Sequence, residues 1–458
     1  MPPSKGKGKG KKKGKGNSKK TKNRAPDATC NCIFPREIII NILSRLPVKT
    51  LLQFRCVCKP WRKLISKPNF VATHFRHSSS LQPITGSSPI LLHTRHLESA
   101  DHLLSLINLS PESSSVVELD NPFPFFLQSM VVVGSCNGIV CLCQPPWGDV
   151  ITLWNPAMRQ SRTLPLSKRK PIMGTHSCVS IGLAYDSQEN DFLVLSLKSF
   201  GPETMIADEV EMFSTKSFSW QRVPNEVGFR VLGLSCNLII KGVPYWTALL
   251  EDAHGSREVL VCFDVSKKVF DKLPMPGVRL EIQGYLVNLE DSLGILMWDK
   301  TDKYNVEIWV MDDEDGWSKK CNVEMLFGFN RIIGCLRNGN IVAEDENGVL
   351  FLFDPVTSSV KAKLCIDNAD SSSSMIFNYS ESLVLIGGML PVKKQAARGK
   401  LARENLLKCG DQLLSFQLYL KLLCACFVLI VKSDPTLRCC TFALFLSLCA
   451  YVYVMGTW

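Results

Sequence analysis

Apolar positions change their spacing twice along the chain. From 35 to 65 they recur at helical period: Ile38, Ile42 and Leu46 stand at i, i+4 and i+8, with Ile39 and Leu43 one position along. That spacing predicts a helix with a broad apolar stripe. Pro35 suits its first position, where a missing N–H costs nothing. Pro47 ends it, because the proline ring disfavours helical geometry at Leu46. Val48, Leu51, Leu52, Phe54, Val57 and Cys58 make a second helical run, and after Pro60 the positions Trp61, Leu64 and Ile65 predict a third helix. Three short helices in about 40 residues hold little core of their own. Such a unit is expected to press its leftover apolar surface against a partner.

The interval 76–130 is Ser- and His-containing, with scattered apolar stretches, and reads as a linker leading into the first strands of a following domain. Five of the seven histidines lie at 74, 77, 93, 96 and 102. His74/His77 and His93/His96 have the i, i+3 spacing of a shared helix face, but no acid stands at the H-E-x-x-H spacing, which argues against a metal site.

From about 131 to 388 the period becomes strand-like. Short apolar runs alternate with turn signals, which predicts an all-β body. A loose repeat runs through it. Trp154-Asn155-Pro156 leads to Arg162-Thr163-Leu164-Pro165, and Phe213-Ser214-Thr215-Lys216 to Trp220-Gln221-Arg222-Val223-Pro224. Phe263-Asp264-Val265-Ser266 leads to Phe270-Asp271-Lys272-Leu273-Pro274, and Phe353-Asp354-Pro355 closes the series; Val310-Met311-Asp312-Asp313 with Trp317 is a weaker copy. A period of about 45–50 residues with four strands per unit is the spacing of propeller blades. Asn137-Gly138, Lys241-Gly242 and Asn338-Gly339 add hairpin turns upstream of several copies, since Asn-Gly between apolar runs supplies the positive φ a tight hairpin needs.

The ends are different again. Residues 1–28 alternate Lys and Gly and bury nothing, which reads as a disordered basic arm. At the other end, 389–412 is basic and helix-prone, 422–431 is wholly apolar, and 439–458 carries no charge. As a helix that last run would span about 30 Å, enough for a bilayer core. The expectation is a tail outside the evolved fold, with a C-terminal membrane anchor through 439–458 as the alternative.

Charge changes the picture only at the arm. The net charge is +11, but 1–24 hold eleven Lys and Arg and no acid, so the remaining body balances 42 acidic residues with as many basic ones. A basic groove for nucleic acid is therefore not implied, and no specific nucleic-acid partner is expected. Nineteen cysteines occur without a single C-x-x-C, so no local zinc or thioredoxin-type site can be built and reduced, buried thiols are expected. No apolar N-terminal signal is present, which points to the cytoplasm or nucleus.

Little else suggests chemistry. Gly134-Ser135-Cys136-Asn137-Gly138 has the spacing of a cysteine nucleophile elbow, but that motif needs a helix after the turn, and the β-branched run Ile139-Val140 predicts a hairpin instead. Asp312-Asp313-Glu314-Asp315 lacks the Gly and Glu spacing of a calcium loop and reads as a solvated hairpin tip. The tryptophans, among them Trp147, Trp154, Trp220, Trp246 and Trp317, read mainly as blade-packing residues. No catalytic, metal or cofactor residue is assigned.

The run IFPREIIINILSRLPVKTLLQFRCVCKPWRKLISKPNF resembles an F-box of the plant type. It departs from the usual pattern only in opening with Phe34-Pro35 rather than Leu-Pro. The pieces GSCNGIVCL, LWNPAMRQSRTLP, LVCFDVSKKVFDKLP and FNYSESLVLI are similar to the F-box-associated interaction domain, which is related to kelch-type propellers. The resemblance implies an α+β multidomain chain: F-box over 30–75, linker over 76–130, propeller-like domain over 131–388. It also implies a non-catalytic substrate receptor of a Skp-cullin-F-box (SCF) ubiquitin ligase, binding the Skp adaptor, through it a cullin, and an unknown target protein. Phe34, Pro35, Ile38, Ile42, Leu46, Pro47, Val48, Leu51 and Trp61 are then adaptor-facing or F-box core positions. The alternative from a different class is a ligand-binding or enzymatic propeller acting on carbohydrate, with a helical cap and no part in a ligase.

Overall fold

A computed structural model describes residues 35–392, apart from 86–88, 97–101, 109–113, 123–129, 145–149, 168–176, 201–208, 225–227, 253–254, 278–281, 300, 303, 313–315, 326–327 and 366–368. The basic arm, Phe34, Trp147, the acidic tip beyond Asp312 and both apolar C-terminal runs lie outside the described residues. Among those described, no helix is long and apolar enough to cross a membrane.

The chain opens with α1 (Arg36–Leu43), α2 (Val48–Phe54) and α3 (Lys59–Ile65), joined by turns at Pro47 and Cys58. Pro35 stands one residue ahead of α1, with φ −52° and ψ 147°, and its carbonyl accepts from the Ile38 and Ile39 N–H groups. A fourth helix, α4 (Pro68–Thr85), follows α3 and runs into the interval read as linker. Phe70 and His74 are buried on its first two turns, so packing anchors the start of the helix.

Six antiparallel sheets follow. The first blade is Val131–Cys136, Ile139–Cys143, Ile151–Asn155 and Gln160–Thr163, with Leu390–Pro391 added outside. The second is Ser177–Asp186, Asp191–Phe200, Glu209–Ser214 and Ser219–Arg222. In the third, Arg230–Val231 and Leu238–Ile240 both pair with Val243–Asp252, followed by Gly255–Asp264 and Val269–Pro274. Ile282–Leu289 to Gly316–Glu324 form the fourth and Arg331–Cys335 to Ser359–Leu364 the fifth.

The sixth blade closes the ring. Its inner strand, Ala369–Asn378, pairs with Ile90–His96, which continues into His102–Asn108 and Ser115–Glu118. His93 and His96 thus lie on a strand, not on a helix face. His93 instead stacks on His102, with His93 Nε2 2.8 Å from His102 Nδ1.

The repeat has a physical cause. The turns after Asn155, Ser214, Asp264 and Asp354 join the third and fourth strands of four blades, and in each the residue four positions on has positive φ: Arg159, Phe218, Lys268 and Ser358. The leading side chain stabilises the turn by accepting backbone N–H groups, as Asp264 does from Ser266 and Lys267 and Asp354 from Val356 and Thr357. The Leu-Pro that ends the first and third copies serves the next blade. Trp220 Nε1 donates to the Pro165 carbonyl (2.8 Å) and Trp317 Nε1 to that of Pro274 (2.6 Å), latching adjacent blades.

Candidate docking face and its seat on the propeller

The helical unit has two unlike sides. Leu43, Val48, Leu51, Ile65 and Phe70 are buried in one apolar cluster, with Leu46, Phe54, Trp61 and Leu64 half-buried around them. On the other side Ile38 is 45 % exposed and Ile42 52 %, one helical turn apart on α1, and Val57 past the end of α2 is 65 % exposed. The eight sequence-assigned positions that are described therefore divide. Pro35, Ile38, Ile42 and Pro47 face solvent, Val48 and Leu51 are core, and Leu46 and Trp61 lie at the boundary. Trp61 stacks at a tilt on Phe54, with centroids 5.2 Å apart.

The buried side does not close on itself. Its cluster is completed by Met158 and Leu383 from the propeller, with Ala157 packed alongside. These residues come from two segments of the resemblance to the F-box-associated domain, LWNPAMRQSRTLP and FNYSESLVLI. Asn155 locks the two together: its Nδ2 donates to the Ser382 carbonyl (2.9 Å) and the Val384 carbonyl (2.7 Å), while its Oδ1 accepts from the Met158 N–H (3.0 Å). The Ala157 N–H donates to Tyr379 Oη (3.2 Å). Gly138 fits beneath, since a Cβ there would stand 2.2 Å from Ser382 Cβ, and its φ of +77° also favours glycine.

Two polar contacts tie the helices to this seat and to each other. The Glu381 carboxylate accepts the Val48 N–H at the start of α2, a terminus without a side-chain cap of its own. Burial pushes the Glu381 pKa up, partly offset by that N–H. His74 Nε2 of α4 donates to the Leu46 carbonyl (2.9 Å), and burial lowers the pKa of its imidazole. Neither contact was visible in the sequence. The only signal was Glu381 itself, an acid between serines in a run otherwise turning apolar.

The Gly134–Gly138 segment is a hairpin. Val131–Cys136 pairs with Ile139–Cys143 across an Asn137-Gly138 turn with both φ positive. Burial pushes the Cys136, Cys143 and Cys236 thiols up to about 12, away from the thiolate that nucleophilic chemistry requires. Trp154 and Trp246 are core residues. No group of three metal-ligating side chains occurs among the described residues.

Comparison with known proteins agrees with this division. Residues 32–73 match the F-box domain and 94–386 the F-box associated beta propeller domain. The chain is similar to three Arabidopsis thaliana proteins. It is 29 % identical to the F-box/kelch-repeat protein At3g23880, over 71 % of this chain and 91 % of that one. It is 25 % identical to the F-box protein At4g22390, over 77 % and 85 %, and 26 % identical to the F-box protein At5g49610, over 61 % and 78 %.

Proposed function

The chain belongs to the plant-type F-box proteins with an F-box associated β-propeller domain, and from that premise we propose that it is the target-binding subunit of an SCF-type ubiquitin ligase. In this reading the exposed face of α1, extended by Val57, docks on the Skp adaptor and so on a cullin. The propeller holds the target protein. The transfer chemistry belongs to a separate ubiquitin-conjugating enzyme, and this chain supplies effective concentration: a target lysine held near a thioester reacts as though intramolecularly. A cytoplasmic or nuclear site of action follows from the same reading.

The observation that carries it is the uncovered apolar face of α1 at Ile38 and Ile42, on a unit whose opposite side packs on Met158 and Leu383 of the propeller. Exposed apolar residues one helical turn apart, as Ile38 and Ile42 are, mark an interaction surface. The test is co-purification of the full chain with adaptor and cullin, wild type against Ile38→Asp with Ile42→Asp. A carboxylate carried into an apolar seam has no partner there, so adaptor recovery should fall at least tenfold while the variant melts like wild type. Wild-type recovery sinks the assignment. A charge at Leu46 would be a poorer test, because that residue is half-buried and its carbonyl is held by His74, so folding would be disturbed as well.

A further inference from the structure

Between α4 and the rim of the propeller lies an open groove of about 610 Å³, a size typical of ligand sites. Its floor is apolar and comes from both domains: Val71 and Phe75 from α4, Leu383 and the 44 %-exposed Leu385 from the closing segment. Its rim is cationic. Arg55 and Arg76 line it, no Asp or Glu lines it among the described residues, and neither arginine is in an ion pair among them. Arg76 donates to Thr73 Oγ1 at 3.4 Å. The acids of the adjoining propeller hairpin are already engaged. Asp186 accepts the Gln188 and Glu189 N–H groups, and Glu189 pairs with Lys216 at 2.5 Å. The adjoining mouth of the propeller axis shares Phe75 and Asn137 with the groove and adds Lys241 and the paired Asp291 and Arg337.

We propose that this groove binds an extended peptide segment of the target that alternates acidic and apolar side chains. The charge pattern selects the acids, because guanidinium groups free of carboxylates offer paired N–H donors to an incoming one. The apolar floor selects the intervening residues, which a simple polyanion lacks. Because the walls belong to two domains, an occupied groove also ties the helical unit to the propeller. The inference rests on the receptor reading only for the owner of the peptide; binding itself requires no adaptor.

The experiment uses the full chain and fluorescent twelve-residue peptides, read by anisotropy at low and moderate salt. A Glu/Leu peptide should bind wild type, weaken as salt rises, and bind at least tenfold more weakly to Arg55→Glu with Arg76→Glu, which should instead favour a Lys/Leu peptide. Ala72→Trp, an exposed helix position lining the groove, should block binding without a charge change and covers the case in which the double reversal folds poorly. A bound Glu/Leu peptide should also slow amide exchange in α4. Absence of wild-type binding overturns the proposal, as does equal binding by the reversal and Ala72→Trp variants. Equal binding of a Glu/Ser peptide overturns it in favour of a plain anion site. Adaptor recovery should be unaltered in both variants, so failure here is distinguishable from failure of the receptor assignment, which is tested at Ile38 and Ile42.

Discussion

The helical unit and the propeller close their cores by opposite means. The propeller is self-contained: its inner strand Ala369–Asn378 pairs back to Ile90–His96, and tryptophan latches join neighbouring blades. Away from the groove at α4, its exposed apolar residues are mostly scattered, as Val356 is on a blade turn, with Val116 and Val117 adjoining on the outermost strand of the sixth blade, and scattered exposure is ordinary. The helical unit, of about fifty residues, is too small to close alone. It borrows Met158 and Leu383 on one side and leaves Ile38, Ile42 and Val57 uncovered on the other. The difference teaches where to look for partners. Uncovered apolar surface is most informative on the helical unit and where that unit meets the propeller, because there it is left over for want of size, and least informative where it is scattered over the outer blades.

The comparison can be broken first inside the propeller. Lys198 and Glu211 form an almost fully buried ion pair at 2.5 Å between neighbouring strands of the second blade, and Ser167 joins the same carboxylate. Removing one partner strands a buried charge, so Glu211→Ala should lower stability by about 3–5 kcal/mol. Lys198→Met combined with Glu211→Leu should cost much less, because no charge is left behind. Urea unfolding of the three proteins checks this. If the single variant is milder than the double, the pair is not what holds those strands, and the propeller is less self-sufficient than described.

Next in size is the seat. Asn155→Ala leaves the Ser382 and Val384 carbonyls and the Met158 N–H without their side-chain partner in a buried site, a loss of about 2–3 kcal/mol. The loss should be local: limited proteolysis should open α1–α4 while the β-sheet circular dichroism persists. Helices that stay as protected as in wild type would mean that the unit closes its own core after all.

Much of this was legible in the sequence, for reasons that can be named. Helices α1 to α3 announce themselves by period and by Pro47 and Pro60. The blades announce themselves because each turn needs an Asn, Asp or Ser to accept backbone N–H groups. What was hidden is what depends on distant pairing. The sixth blade joins Ile90–His96 to a strand more than 250 residues later, whose Ser371-Ser372-Ser373-Ser374 run shows no apolar alternation. The division of the F-box positions was hidden too. Val48 and Leu51 are apolar as Ile38 and Ile42 are, and packing among the helices and on Met158 and Leu383 decides which are covered.

The smallest expected effect is of pH, and it compares the two regions directly, since each buries one histidine. His93 lies in the ring closure, where burial, with His102 and Arg95 nearby, pushes its pKa down to about 3. His74 ties α4 to Leu46, and burial lowers it as well, opposed by the Leu46 carbonyl. For both, the unfolded chain takes up its proton near pH 6.5 while the folded chain does not. Stability is therefore level above about pH 7.5 and falls as pH drops below 6.5, by at most about 1.4 kcal/mol per pH unit for each histidine. Thermal unfolding at pH 7.5 and 5.5 should show a loss of about 1.4 kcal/mol from His93 at the lower pH, with His74 adding to it, before most carboxylates titrate. His93→Leu should flatten the response read by the β-sheet signal, because it removes the proton acceptor at the closing strand. His74→Leu should flatten only the response read by proteolysis of the helices. If either variant flattens both signals, the two regions do not unfold as separate units, and the ring and the helical module share one cooperative core.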